Sequence, residues 1–259
     1  MKVLITGNKG FIGRNLTEAL TGKKGIEILP FDRESDDSLL DDYTRVCDFV
    51  YHLAAVHRPP VPSEFDKVNR VFFEDVLTLL QKHNNSCPVL LTSSTYAGPD
   101  SEYGKSKIAA EEALKKHAAR MNSGAIIYRL KNTFGRYALP NHHSVVANFC
   151  YNVANNLPVV VNEPDRMMLF YYIDDVIESF QKHLITKIEP EDDGFFRLDN
   201  HLIYPIELQN LATKIHHFKH LHDHNQVPEL IDEFTQKLYQ TFLYYLHDVK
   251  NHVYDEQPG

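Results

Sequence analysis

The sequence predicts an α/β protein built on a doubly wound parallel sheet, and three observations carry the prediction. Strand-like apolar runs alternate with helix-like segments through the first half of the chain. The first run is followed at once by a glycine-rich turn, Gly7, Gly10 and Gly13, and then by a helical pattern. Further on, Tyr103-Gly104-Lys105-Ser106-Lys107 places a phenol and an ammonium four positions apart, behind the hydroxyl run Thr92-Ser93-Ser94.

The strand-like segments fall near Val3 to Thr6, Ile26 to Phe31, Phe49 to His52, Val89 to Leu91 and Ala125 to Leu130. A short crossover, Ser38 to Val46, leads to the Asp48 that opens the third of them. The Met1 to Leu16 stretch, MKVLITGNKGFIGRNL, has the strand, turn and helix start of a Rossmann dinucleotide-binding unit. Its glycines allow a tight turn, close approach of backbone to a pyrophosphate, and close helix packing. The N–H groups at the helix start, around Phe11 and Ile12, suit an anion. Thr92, Ser93 and Ser94 sit at the carboxyl end of the fourth run, where ligands of open α/β sheets bind.

A Tyr and a Lys at this spacing on an exposed helix are by themselves an ordinary solvated pair. Behind a glycine-rich turn and beside Ser94 they become candidate machinery for proton transfer. A helix puts both groups on one face, where the cation favours the phenolate of a tyrosine that otherwise ionises near ~10. Ser94, Tyr103 and Lys107 are therefore the candidate catalytic residues, with Thr95 as the alternative hydroxyl.

The end of the second strand carries both answers to the choice of dinucleotide. Asp32 suits the adenosine ribose hydroxyls of NAD, whereas Arg33, with Lys9 and Arg14 in or after the glycine-rich turn, suits the 2'-phosphate of NADP. NADPH is the expected cofactor, with NADH possible. Leu53, Ala54 and Ala55 after the third strand are further expected cofactor contacts, the small alanines permitting close approach or simply close packing.

With 259 residues and 43% hydrophobic content, the chain buries a sizeable core, and its net charge of -8 argues against a general nucleic-acid surface. Cys47, Cys87 and Cys150 have no metal-like spacing and read as buried free thiols of a reducing compartment. The start of the chain enters a strand directly, and no apolar run approaches the ~20 residues of a membrane span. The expected setting is cytoplasmic. His216, His217, His220, His222 and His224 lack a completing Cys or carboxylate set, so a solvated helix and loop, without metal, is expected there. The aromatic run Tyr239 to Tyr245 reads as core or a dimer surface.

The order GNKGFIG, CDFVYHLAA, LTSST with YGKSK, YRLKNTFG and YYIDDV resembles the extended short-chain dehydrogenase/reductases acting on nucleotide sugars, the NAD-dependent epimerase/dehydratase family, from Met1 to about Phe180. HRPP (His57 to Pro60), FGRYALPNHHSVVANFCYNVANN (Phe134 to Asn156) and EFTQKLYQTFLYYL (Glu233 to Leu246) extend the likeness. They resemble the reductase domain of the bifunctional enzymes of capsular-polysaccharide precursor synthesis, in which a metal-binding cupin domain follows.

This resemblance implies an NADPH-dependent reductase of a nucleotide-diphospho-4-keto-6-deoxyhexose of the UDP-N-acetyl amino sugar type. It also implies a homodimer, and the chain is then either a stand-alone reductase, with room for a separate cupin epimerase partner, or a truncated piece of the two-domain enzyme. Lys107 would hold the nicotinamide ribose as well as tune Tyr103, and Asn69 matches the family's helix asparagine beside the site. Asn132, Arg136, Asn141 and Ser144 are candidate substrate contacts, or else a polar loop and helix cap. Many members carry an Arg six residues before the Asp pair; this chain has Met168, and Arg166 is the nearest substitute for a grip on the diphosphate. Asp174-Asp175 reads as a cap for the next helix.

By analogy, about 1–134 with 157–180 form the NAD(P)-binding part, and about 135–156 with 181–259 a small discontinuous substrate-binding lobe. The chain is expected to return to the sheet around Val160 and Tyr171 to Ile173. An NAD-dependent epimerase on the same fold, or a non-catalytic NADP-sensing protein, are the alternative readings. Thr95-Tyr96 supplies no acidic pair of the kind that dehydratases place after the active-site hydroxyl.

Overall fold

The computed structural model describes residues 1–57, 59–142 and 144–248; Arg58 of the HRPP motif and His143 lie outside the described residues. The chain divides into two compact units, one of Met1–Leu130 with Ile177–Arg197, the other of Lys131–Val176 with the chain from Leu198 onward.

In the first unit β1 (Lys2–Thr6), β2 (Glu27–Phe31), β3 (Phe49–His52), β4 (Val89–Ser94) and β5 (Ala125–Leu130) form one parallel sheet, ordered β2-β1-β3-β4-β5. Val3, Leu4, Ile5, Val50, Val89 and Leu90 are fully buried, as strands covered on both faces require. The helices between them are α1 (Phe11–Leu20), α2 (Asp37–Val46), α3 (Ser63–Asp66), α4 (Phe72–Lys82) and α5 (Glu102–Met121). Asp36 caps α2 by accepting from Ser38 N–H, and Ser101 caps α5 by accepting from Gly104 N–H. Between α3 and α4 the turn Lys67–Val71 widens to π-helical geometry, a local departure often associated with functional sites.

The order of strands reverses at β1: the crossover through α1 leads out to β2 and the one through α2 comes back to β3. A crevice therefore opens at the carboxyl ends of β1 and β3, the switch point where such sheets bind ligands. The glycine-rich turn and Leu53 to Ala55 both leave the sheet there. Gly7 has φ +72°, and a Cβ on it would stand 2.7 Å from the Ala54 backbone; one on Gly13 would stand 2.0 Å from the Gly7 carbonyl oxygen. The turn closes only without those side chains.

The second unit holds β6 (Asn132–Phe134), β7 (Met167–Tyr172) and β8 (Tyr204–Glu207), with β6 parallel to β7 and β7 antiparallel to β8. Here the structure departs from the expected return to the main sheet. Tyr171 and Tyr172 pair with β6 in this smaller sheet, Ile173 opens a helix, and Val160 lies in irregular chain, 70% exposed. The apolar run could not reveal which sheet it would join, because strand pairing is a long-range choice. Helices α6 (Val145–Ala154), α8 (Leu208–Asp223) and α9 (Glu233–Asp248) bury Val146, Cys150, Ile215, Phe218, Leu238, Phe242 and Tyr245. Tyr239 to Tyr245 lies within α9, and Tyr245 donates to the Ala138 carbonyl oxygen. Ile173–Lys182 forms α7. Its first-turn acids form ion pairs: Asp174 with Arg136 at 3.2 Å and Asp175 with Lys237 at 2.7 Å.

The three cysteines are free and buried. Among the described residues no helix is long and apolar enough to cross a membrane, and no group of three or more His, Cys, Asp or Glu side chains is placed to hold a metal ion. The rings of His220 and His224 lie tilted to each other, with centroids 4.3 Å apart, near the end of α8.

Gly13→Ala should lower the midpoint of urea unfolding, by about 2 kcal/mol or more in stability, because α1 cannot keep its seat on the turn. An unchanged midpoint would show that the close approach at Gly13 is not required.

Candidate active site

Three elements of the first unit build the candidate site: the end of β4, the first two turns of α5, and the switch-point turns. Thr92, Ser93 and Ser94 are the last residues of β4 and are all buried. Gly104 lets α5 start close to them. A Cβ there would stand 2.4 Å from the Gly98 carbonyl oxygen and 2.8 Å from that of Tyr96, so the loop leaving β4 lies against the helix only where the side chain is missing. The glycine of the Tyr-Gly-Lys run thus sets the distance between Ser94 and the helix carrying Tyr103.

The Ser94 hydroxyl lies beside the Tyr103 phenol, close enough to ease its ionisation. Ser94 Oγ also accepts from Tyr96 N–H at 3.1 Å. Thr95 turns away, its N–H and hydroxyl directed at the Leu130 carbonyl oxygen at 3.0 and 3.4 Å. One turn along α5, Lys107 is 5% exposed, donates to the Thr92 carbonyl oxygen at 3.2 Å, and has its Nζ 5.7 Å from the centre of the Tyr103 ring. The structure brings Ser94, Tyr103 and Lys107 together.

Their electrostatics differ from the expected picture. Burial pushes the Tyr103 phenol up, and the Ser94 hydroxyl pulls it only partly back. The pull of Lys107 toward a phenolate is outweighed here, and burial lowers the lysine's own pKa to about 8, against an upward pull from Glu111. Desolvation outweighs the ammonium's attraction for a phenolate, a balance that spacing alone does not reveal. Tyr103 is thereby a protonated donor.

Asn69 sits in the π-helical turn and is 2% exposed. Its side chain accepts from Val56 N–H at 2.8 Å and donates to the Val56 carbonyl oxygen and Ser106 Oγ, both at 3.1 Å, fastening the loop after β3 to α5. His52, at the end of β3, bonds Thr6 Oγ1 through Nδ1 at 2.9 Å, and burial followed by the nearby Lys107 lowers it to about 3. It stays neutral beside the lysine.

The switch-point residues fit a dinucleotide. The first turn of α1 has no acidic residue and no side-chain cap, so its N–H groups at Phe11 and Ile12 face an open, positive helix end beside Gly10. Gly7 and Ala54 lie close enough to leave backbone as the wall of the crevice. At the tip of β2, Lys9 pairs with Asp32 at 3.0 Å and Glu34 at 2.6 Å, while Arg33 is exposed. Burial tends to raise the Asp32 carboxyl, but hydrogen bonds from Lys9 and from the Glu34 N–H outweigh it and hold it below the usual range.

The remaining candidates belong to the second unit. Asn132 opens β6, Arg136 is tied to Asp174, and Asn141 is exposed at φ +61° with its N–H on Asn148 Oδ1. Ser144 caps α6, accepting from Ala147 N–H at 3.3 Å, and exposed Arg166 pairs with Glu163 at 3.4 Å. Two features that the motifs did not announce stand beside Tyr103. The rings of His57 and Phe65 meet it edge-on, with centroids at 4.7 and 5.9 Å. A buried network also joins Glu111, Ser93 and Arg129: Ser93 donates to Glu111 at 2.5 Å, and Arg129 does so through Nε and Nη2 at 2.9 and 2.6 Å. The repeat of four residues from Tyr103 through Lys107 to Glu111 was its sequence signal.

A parallel doubly wound sheet with a glycine-rich switch point, and a Ser-Tyr-Lys cluster at the end of β4, define a dinucleotide-binding protein of the short-chain dehydrogenase/reductase class. The chain belongs to the NAD dependent epimerase/dehydratase family, whose model matches residues 3–192. It is 36% identical over 246 residues to the UDP-2-acetamido-2,6-beta-L-arabino-hexul-4-ose reductase of Pseudomonas aeruginosa, an alignment covering 95% of this chain and 65% of that protein. Among solved structures it is similar to the capsular polysaccharide assembling protein CapF from Staphylococcus aureus, with TM-score 0.85, 30% identity, and coverage of 97% of this chain and 68% of that one. The UDP-glucose 4-epimerase of Thermotoga maritima shares the fold at TM-score 0.80 and 17% identity, covering 96% of this chain and 100% of its own. The chain thus spans about two thirds of the length of the reductase and CapF relatives.

Lys107→Met should stabilise the protein at neutral pH. In the unfolded chain Lys107 keeps its proton up to 10.5, in the fold only to about 8. Between those values the unfolded state binds more protons, so the ammonium's cost is complete below the folded value and fades as pH rises toward the unfolded one. The variant should gain about 2–3 kcal/mol in urea unfolding at neutral pH, and much less near pH ~10. A gain that does not change with pH would show that Lys107 is not carrying a buried charge.

Proposed function

We propose that the protein is an NADPH-dependent reductase of a keto group on the hexose of a nucleotide-diphosphate sugar, of the UDP-N-acetyl-4-keto-6-deoxyhexose type. The observation that carries the reading is the Ser94 hydroxyl beside the Tyr103 phenol with buried Lys107 one turn away, at the end of the strand next to the switch-point side of the sheet. The relatives with the higher identities support the substrate class.

The first unit is the dinucleotide-binding part, with Gly7, Lys9, Gly10, Phe11, Ile12 and Gly13 at the pyrophosphate and Asp32 with Arg33 at the adenosine ribose. Leu53, Ala54 and Ala55 line the crevice, and Asn69 braces its wall. When bound, the reduced nicotinamide supplies a hydride to the carbonyl carbon. Tyr103 gives its proton to the oxygen as that oxygen gains negative charge. Ser94 holds the same oxygen by a hydrogen bond and takes part of the charge. Lys107 binds the nicotinamide ribose hydroxyls, and its positive charge then eases loss of the Tyr103 proton. Asn132, Arg136, Asn141, Ser144 and Arg166 in the second unit hold the nucleotide sugar, the two arginines offering charge to the diphosphate. Lys9 draws on Asp32 as well as Glu34, and exposed Arg33 beside them favours the phosphorylated cofactor. A cytoplasmic setting, a homodimer, and a partner that epimerises the keto-sugar first complete the reading.

Tyr103→Phe should lower kcat for reduction of a UDP-4-keto-6-deoxy sugar by a factor on the order of 100 or more, with NADPH affinity nearly unchanged. Full activity in this variant, measured by loss of NADPH absorbance, would remove the central role of the tyrosine. Arg33→Ala should raise the KM for NADPH several-fold and leave that for NADH in place. Equal effects on the two cofactors would exclude Arg33 from phosphate recognition.

A further inference from the structure

We propose that Glu111 is a positioning residue of this site: its buried carboxylate stands one helical turn from the Lys107 ammonium and, through Ser93 and Arg129, ties the strand end bearing Ser94 to the helix bearing Tyr103. The proposal rests on the reductase reading above, in which Lys107 works as a cation beside Tyr103.

Glu111 is 3% exposed and sits at the middle of three elements. From β4, Ser93 Oγ donates to Oε1 at 2.5 Å; from β5, Arg129 Nε donates to Oε1 at 2.9 Å and Nη2 to Oε2 at 2.6 Å. Ser93 immediately precedes Ser94, so this bond fixes the strand end against α5. Around Lys107 stand Tyr103 and Glu111 on α5, the neutral His52 on β3, and the Thr92 carbonyl on β4. Of these, Glu111 alone is the carboxylate, and its attraction pulls the Lys107 pKa up against the effect of burial.

Arg129 is the cation in contact with that carboxylate, and Lys107 lies one helical turn from it. The Arg129 guanidinium also lies 4.0 Å from the Phe195 ring centre and interacts with Asp193 and Arg197. Lys115 covers the same ring at 4.5 Å. A simple cross-link and a charge-holding role therefore make different predictions. Loosening a cross-link costs activity at all pH values, whereas altering the charge balance moves the pH at which Lys107 loses its proton. It moves that pH in opposite directions when Glu111 or Arg129 is neutralised.

The test uses Glu111→Gln, which keeps the shape and one acceptor, and Arg129→Gln, which removes the cation in contact with the carboxylate. In Glu111→Gln the alkaline limb of kcat/KM for keto-sugar reduction should move down by about one pH unit, with most of the activity recovered near pH ~6. In Arg129→Gln it should move up. A second readout does not depend on turnover: the Lys107 side-chain signal in 15N-lysine NMR, assigned by its loss in Lys107→Met, should titrate with the same opposite displacements. A Glu111→Gln protein that does not fold leaves the Arg129→Gln displacement and partial rescue by Glu111→Asp as the test. Uniform loss of activity at every pH with an unmoved Lys107 titration would overturn the proposal. Opposite NMR displacements in a protein that reduces no keto-sugar would uphold the role of Glu111 toward Lys107 and refute the reductase reading.

Discussion

Burial of the Lys107 ammonium is the constraint on which the rest of the site depends. An amine removed from water must find a carbonyl or carboxylate partner or give up its proton, and here it has the Thr92 carbonyl oxygen at 3.2 Å and the charge of Glu111 one turn away. Neither fully offsets desolvation. The lysine is left near the pH at which it would release its proton, and the phenol beside it is pushed toward the protonated form by the same dry surroundings. Water exclusion thus costs stability, and it also leaves the tyrosine as an acid.

The backbone serves that arrangement. Gly104 allows the loop after β4 to lie against α5, so that a strand-end serine and a first-turn tyrosine meet, and Asn69 holds the neighbouring loop from a widened helical turn. At the other side of the switch point, Gly7 and Gly13 let α1 begin with unclaimed N–H groups. The two ends share one sheet, and the reversal of strand order at β1 places the glycine turn and the β3 end next to each other. Small residues set the spacing, and charged residues then act across it.

Much of this was legible in the sequence, for physical reasons. The alternation of apolar runs sufficed for the five parallel strands, because doubly covered strands are continuously hydrophobic. Gly7, Gly10 and Gly13, and the Tyr103 to Lys107 spacing, were legible because one chain segment contains the whole motif. Pairings between distant segments were not legible. Tyr171 to Ile173 read as a return to the main sheet, whereas Tyr171 and Tyr172 belong to a strand that pairs with β6 and β8, and the Asp174 and Asp175 pair read as a helix cap although Arg136 and Lys237 engage them. The balance at Tyr103 was also hidden, because spacing reports proximity of charge and says nothing about solvent. Glu111 showed a helical repeat, but its partners Ser93 and Arg129 come from two strands.

The central claim is net hydride transfer to a keto-sugar, and isotope tracing tests it most directly. The protein is incubated with a UDP-4-keto-6-deoxy sugar and NADPH deuterated at one face of the nicotinamide C4, and then at the other. The account predicts one deuterium at the former carbonyl carbon from one of the two cofactors only, with one NADPH consumed per product. Sugar that isomerises with no net consumption of NADPH and no deuterium incorporated would contradict it.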